Sequence, residues 1–211
     1  IISSIGKDIK IEADKLAHDY ICKNLIDTGI PIVSEEGDNK SFDFYRKQWI
    51  IDPIDGSLNF SKGFEMCAVS IALWDNGLPI VGVVHNIFSN QVFFSCKGGG
   101  AWLNNKSIIS SSKIKKEESV LATGFPSGRN YSTESLGKFI EDIQDYKKIR
   151  MLGSASLMLA YVSGGYFDAY KEEDIYIWDV AAGLSLISES GGFYKIKPGS
   201  NEFKFNVYAK G

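Results

Sequence analysis

The stretch Trp49-Ile50-Ile51-Asp52-Pro53-Ile54-Asp55-Gly56-Ser57-Leu58-Asn59-Phe60 reads as a buried apolar strand that runs into two carboxylates three residues apart. A Gly-Ser turn and the start of a helix follow. Pro53 fixes its own φ and holds Asp52 extended, which stiffens the strand's end. Gly56 lets the backbone turn sharply and presents successive N–H groups at a helix N-terminus, where an anion can bind. Two aspartates beside an anion-binding turn make sense together when divalent cations stand between them and a phosphate. Without metal the carboxylates would repel it.

On the N-terminal side, Leu16, Ala17, Tyr20, Ile21 and Leu25 recur at helical spacing, and Gly29 ends that helix. An apolar strand at Ile30 to Val33 leads into Glu35-Glu36, and the polar residues 37 to 48 read as an exposed loop. On the C-terminal side, a β-rich stretch from Met66 to Trp74 is turned by Asp75-Asn76-Gly77 into Leu78 to Ile87. Asn-Gly between apolar runs is a hairpin signal. Gln91 to Cys96 adds a strand, broken by Gly98-Gly99-Gly100, and the charged stretch Lys113 to Glu118 separates two halves, 1–118 and 119–211.

The second half alternates. Strand Val120 to Phe125, helix Thr133 to Tyr146, strand Lys148 to Met151 and helix Ser154 to Val162 come first. Strand Phe167 to Tyr170, helix Val180 to Ser190 and strand Phe205 to Tyr208 complete it. Such alternation implies an α/β layer with sites at strand ends.

At 211 residues the chain has ample length for a buried core, as one large domain or two tightly joined ones. Hydrophobic content of 44% with 23% charged residues is that of a soluble globular protein. A net charge of −3 argues against general nucleic-acid binding. Cys22, Cys67 and Cys96 lack metal-ligand spacing and lie in apolar sequence, which points to a reducing, cytoplasmic compartment. No signal peptide opens the chain and no apolar run is long enough to cross a membrane.

Glu35, Asp52, Asp55 and Asp179 each sit just past an apolar strand or at a helix start. Hard oxygen ligands suit Mg²⁺. With only His18 and His85 in the chain, the composition argues against a histidine-rich zinc site. A lone acidic residue at a strand end is ordinarily solvated; the grouping, not any one member, carries the signal. Glu36 reads as a neighbour of the ligand, and Lys113, Lys115 and Lys116 as a solvated loop. Asp14 opens an amphipathic helix, where a plain N-terminal charge is the alternative to a role at the site.

The opening stretch closely resembles the W-x-x-D-P-x-D-G-(T/S)-x-N-F signature of the inositol monophosphatase family, Mg²⁺-dependent and Li⁺-sensitive phosphatases. That family's second signature resembles Trp178-Asp179-Val180-Ala181-Ala182-Gly183, and its Glu-Glu element resembles Glu35-Glu36. The resemblance implies the α-β-α-β-α layered sandwich shared with fructose-1,6-bisphosphatase. It assigns Glu35, Asp52, the Ile54 carbonyl and Ser57 to one metal, and Asp52, Asp55 and Asp179 to a second. It implies two or three Mg²⁺, with Mn²⁺ as substitute, Li⁺ as inhibitor, and a homodimer. Two-metal hydrolysis then follows, one ion acidifying the attacking water and the other stabilising the leaving oxygen. Asp14 and Ser57 would orient that water with Glu35 beside them, and the N–H groups of Gly56 and Ser57 would hold phosphate oxygens next to Asp55.

By the same resemblance, Gly153-Ser154-Ala155 contacts the organic part of the substrate, and Glu172, seven residues before Asp179, accepts its hydroxyls. Glu173 and Asp174 compete for that role. The loop Thr123 to Arg129 resembles one at the pocket mouth, and Arg129 and Arg150 are candidates for a second phosphate or for surface roles. Two positions depart from the pattern: Ser57 replaces the commoner threonine, and Lys10-Ile11 stands where relatives often have Val-Thr. The expectation is a phosphomonoesterase acting on a small polyol or sugar monophosphate. Alternatives are a 3′-phosphoadenosine 5′-phosphate phosphatase, a histidinol-phosphatase, a fructose-1,6-bisphosphatase, or a regulatory binding protein.

Overall fold

The computed structural model describes residues 3–5, 8–10, 12–110, 115–125 and 131–211. Two short strands, β1 (Ser3–Ile5) and β2 (Asp8–Lys10), pair antiparallel ahead of helix α1 (Glu12–Leu25). A seven-stranded sheet follows in chain order: β3 (Ile32–Ser34), β4 (Gln48–Asp55), β5 (Ala68–Asp75), β6 (Leu78–Asn86), β7 (Gln91–Cys96), β8 (Gly100–Leu103) and β9 (Lys106–Ile108), with the short helix α2 (Ser57–Ser61) between β4 and β5. Only β3 and β4 run parallel in it.

The second half supplies β10 (Val120–Thr123), α3 (Thr133–Ile143), β11 (Lys148–Arg150), α4 (Ala155–Ser163), β12 (Ala169–Tyr176), α5 (Ile177–Glu189), β13 (Phe193–Pro198) and β14 (Lys204–Lys210). Its strands form a five-stranded mixed sheet in the order β11-β10-β12-β14-β13.

Helices α4 and α5 touch both sheets, so they form the middle layer. Helix α1 lies on β4 at one outer face. Phe139 and Ile143 of α3 pack with Leu121 and Ala169 on the other. The layers therefore run α-β-α-β-α. The middle layer is apolar nearly all round: Leu157, Leu159, Val162, Val180, Leu184 and Leu186 are fully buried. A helix enclosed on all sides has no polar face to show. Close approach explains the last residue of the W-D-V-A-A-G motif. A Cβ on Gly183 would collide with the Leu159 side chain, so glycine lets α5 cross α4 without a gap.

Several elements differ from the sequence reading. Leu16 and Tyr20 are 64% and 71% exposed, and α1 instead buries Asp14 and packs Ala13 and Ala17 against Ile54 and Cys67. The polar loop at 37–48 is anchored by Phe42, which is buried among Phe44, Phe203 and Phe205. Strand β12 continues through Glu172 to Tyr176, because the five-stranded sheet pairs it with β14 across a bulge between Glu172 and Ile175. β8, β9 and β13 carry little apolar periodicity, and the sequence pattern does not mark them as strands. The β5–β6 hairpin is as expected: Asn76 and Gly77 both have positive φ, 51° and 77°.

Candidate metal centre

β4 carries Asp52 and Asp55 at a spacing that an ordinary strand would send to opposite faces. The ladder to β5 is broken there: Asp52 pairs with Ser70 and Asp55 with Ala68, so β4 holds one extra residue. That bulge re-aims the side chains. Asp179 arrives from the first turn of α5, where its charge favours the helix N-terminus. Carboxylate oxygens of Asp52, Asp55 and Asp179 all come within 4.8 Å of one another.

Among the described residues no Lys or Arg pairs with Asp52, Asp55 or Asp179. Burial pushes the Asp52 carboxyl well above the usual carboxylate range, and Glu35, Asp55 and Asp179 add to it. Asp179 is raised likewise, by burial first and then by Asp55, Glu35 and Glu172. Glu35 stands at the mouth, exposed as a residue, with its carboxyl head hydrogen-bonded to Asp52. Burial of that head, opposed by the bond to Asp52 and aided by Glu36, Asp14 and Asp55, lifts it to about 7. Asp52 Oδ1 is buried with no hydrogen-bond partner among the described residues. A buried orphan oxygen among mutually repelling carboxylates is what a hard divalent cation satisfies. The residues fit Mg²⁺.

Asp55 is raised by burial but steadied by donors. Ser154 Oγ (2.6 Å), Ser156 N (2.7 Å) and Ser156 Oγ (2.5 Å) all donate to its Oδ2. Three bonds on one oxygen fix the carboxylate's orientation. Ser154 is 1% exposed, so its hydroxyl stands behind Asp55, and Ala155 is buried at 6%. Ser156 was not singled out in the sequence. A serine opening an apolar helix reads as an N-cap, and nothing local shows that a distant aspartate sits over it.

Gly56 is left-handed (φ 87°), and a Cβ there would come within 2.9 Å of Met66 O and 3.0 Å of Gly153 O. The turn therefore tolerates no side chain. Asn59 Nδ2 donates to Met66 O and Leu152 O, both at 2.7 Å, and so ties this turn to the second half of the chain. Ser57 Oγ lies 3.2 Å from Asp14 Oδ1 and 2.9 Å from the Ile54 carbonyl oxygen, which brings α1 to the site. Asp14 is only 4% exposed, more deeply buried than a helix-terminal charge needs to be.

On the opposite wall Glu172 is buried at 5%, and its charge reaches Asp179. Asp174 turns away, accepting from Ser200 N at 2.8 Å and Lys204 Nζ at 3.2 Å. Arg150 is exposed, with its guanidinium on the Ile149 carbonyl. Lys116 pairs with Asp145 at 2.9 Å. Arg129, residues 126–128, Lys113 and Ile11 lie outside the described residues.

The sequence profile of the inositol monophosphatase family matches residues 4–203. An inositol-1-monophosphatase of Mesorhizobium japonicum is 34% identical over 202 residues, spanning 94% of this chain and 76% of the relative. A Nus factor SuhB of Xylella fastidiosa is 37% identical, spanning 92% of this chain and 70% of the relative. The solved structure of a Thermotoga maritima IMPase superposes with a TM-score of 0.81 at 35% identity, covering 97% of this chain and 79% of that one.

Proposed function

This chain belongs to the inositol monophosphatase family and is a phosphatase, and from that premise we propose that it hydrolyses the monophosphate of a small polyol or sugar with Mg²⁺. The observation that carries the reading is the convergence of Asp52, Asp55 and Asp179 around a buried, unpartnered carboxylate oxygen. Glu35, Asp52, Asp55, Asp179, the Ile54 carbonyl and Ser57 would hold two or three ions. When bound, Mg²⁺ supplies Lewis-acid charge that acidifies water and offsets the negative charge gathering on phosphate.

The chain's own groups do the rest. Ser57 donates toward Asp14, which leaves its lone pairs to accept from an attacking water and fix that water's direction. Gly56 and Ser57 offer backbone N–H groups to phosphate oxygens, beside the Asp55 that Ser154 and Ser156 hold still. Glu172 accepts hydroxyls of the organic part. Halves 1–118 and 119–211 divide the work: the first supplies Glu35, Asp52 and Asp55, the second Asp179 and Glu172. The three cysteines are free, which supports a cytoplasmic setting, and a homodimer belongs to the same proposal. Among the described residues no helix is long and apolar enough to cross a membrane.

The test is phosphate release with Mg²⁺ over inositol, sugar, nucleotide and histidinol phosphates. Highest kcat/KM on an inositol or sugar monophosphate, with Mn²⁺ substituting and Li⁺ inhibiting, supports the reading. A clear preference for 3′-phosphoadenosine 5′-phosphate, histidinol phosphate or fructose 1,6-bisphosphate overturns the substrate class. The SuhB relative's name, a Nus factor, favours a regulatory second reading. Absent turnover on every phosphate would select it.

A further inference from the structure

Glu172 is not left to find its own direction. It lies on β12 two residues after Tyr170, so the two side chains share a face, and Tyr170 Oη donates to Glu172 Oε2 at 2.5 Å. Tyr170 is 0% exposed and Glu172 5%, so the phenol has no access to substrate. On the other side stands Gly124. A Cβ there would come within 2.5 Å of Glu172 Oε1 and 3.1 Å of its Cδ. Gly124 is not among the glycines with positive φ, so clearance for the carboxylate, and not a turn, is what calls for glycine. One oxygen is held by a phenol, and the other lies close to the Gly124 backbone.

We propose that Tyr170 is a positioning residue and Gly124 a clearance, which together fix the direction in which Glu172 presents its carboxylate to substrate hydroxyls. The inference rests on the reading of Glu172 as the hydroxyl acceptor. A glutamate side chain loses rotamer freedom when a ligand fixes it. Held in advance by Tyr170, it loses less on binding, and the gain appears as affinity for hydroxylated substrates alone.

The experiment is steady-state kinetics on inositol 1-phosphate and on 4-nitrophenyl phosphate, which has no hydroxyls. The proteins are wild type, Tyr170→Phe, Gly124→Ala, Glu172→Gln and the Tyr170→Phe/Glu172→Gln double variant. Tyr170→Phe and Gly124→Ala should each raise KM for inositol 1-phosphate about fivefold to tenfold. KM for 4-nitrophenyl phosphate and kcat for both substrates should stay within about twofold. The double variant should be no worse than Glu172→Gln, because Tyr170 acts only through Glu172. Three outcomes overturn the inference and leave the Glu172 reading standing: an unaffected Tyr170→Phe beside an impaired Glu172→Gln, equal losses on both substrates, or a Tyr170→Phe effect that persists in full in the Glu172→Gln background. Should Glu172→Gln itself leave KM for inositol 1-phosphate unchanged, the Glu172 reading falls, and this one with it.

Discussion

The floor of the site and its wall are both built from buried acids, yet they are wired in opposite ways. On the floor, burial raises the proton affinity of Asp52, Asp55 and Asp179, the charges of Asp55 and Asp179 add to it at Asp52, and among the described residues one Asp52 oxygen has no partner. On the wall, Glu172 takes a bond from Tyr170 inside the protein. Burying a charge without a partner is costly, so an acid left short of donors implies something missing, while an acid supplied with a donor is already set. On the proposed reading the floor takes an external cation, and the wall takes the uncharged, hydroxyl-bearing part of the substrate. In that proposal the contrast separates chemistry from recognition.

The sharpest way to break it is at Asp52. Asp52→Asn keeps the shape and removes the charge shared between the two proposed ions. kcat/KM should fall by about a thousandfold or more, equally on inositol 1-phosphate and 4-nitrophenyl phosphate, since several kcal/mol of charge stabilisation are lost. The metal-free variant should melt no lower than wild type, because a repulsive buried charge is gone. Added Mg²⁺ should raise the wild-type Tm and leave the variant flat. Near-normal turnover would mean that the floor is not the metal site.

Ser57 comes next. Ser57→Ala should lower kcat about a hundredfold on both substrates with little change in KM, the size expected for a group that directs proton transfer. Ser57→Thr keeps the hydroxyl between Asp14 and Ile54 and should work almost as well as wild type. An alanine variant as active as wild type would reduce Ser57 to a bridge between Asp14 and the Ile54 carbonyl.

The two regions also differ in how far they can be read from sequence. Asp52 and Asp55 are close in the chain, and Pro53 and Gly56 advertise the unusual backbone between and after them. What stays hidden is the bulge that aims both inward, because it exists only as a mismatch with β5. The wall is assembled across the chain. Gly124, Tyr170 and Glu172 meet because β10 and β12 lie side by side, a pairing that no local pattern announces. Ser156 is hidden for the same reason, since its partner Asp55 is 101 residues away. An α/β layer is legible because helix and strand periods alternate in the second half, whereas the full α-β-α-β-α order is implied only by the family resemblance. Leu16 and Tyr20 show the limit: a helical apolar spacing finds the helix, but the sheet chooses which side of it to cover, and here Asp14, Ala13 and Ala17 turn inward.

The smallest expected effect concerns the acid most easily mistaken for the wall's. Asp174 is two residues from Glu172, but its carboxylate belongs to the β13–β14 turn, where Ser200 and Lys204 hold it. Burial acts to raise its proton affinity, and those bonds more than cancel it, so its carboxyl lies below the ordinary 3.8. A depressed carboxyl contributes stability that is fully present above the unfolded value and is lost as pH falls through the folded one. Asp174 also has positive φ, 58°, which asparagine adopts readily, so Asp174→Asn removes charge without straining the backbone. The variant should lose about 1 kcal/mol near pH 7, which for a chain of this size is a fall in Tm of roughly 2–4 °C. The difference from wild type should close as the pH drops below about 4. KM for inositol 1-phosphate and for 4-nitrophenyl phosphate should both stay at the wild-type value. A selective rise in KM for the hydroxylated substrate would move the reading of hydroxyls from Glu172 to Asp174, and the wall would have to be redrawn around the turn that carries it.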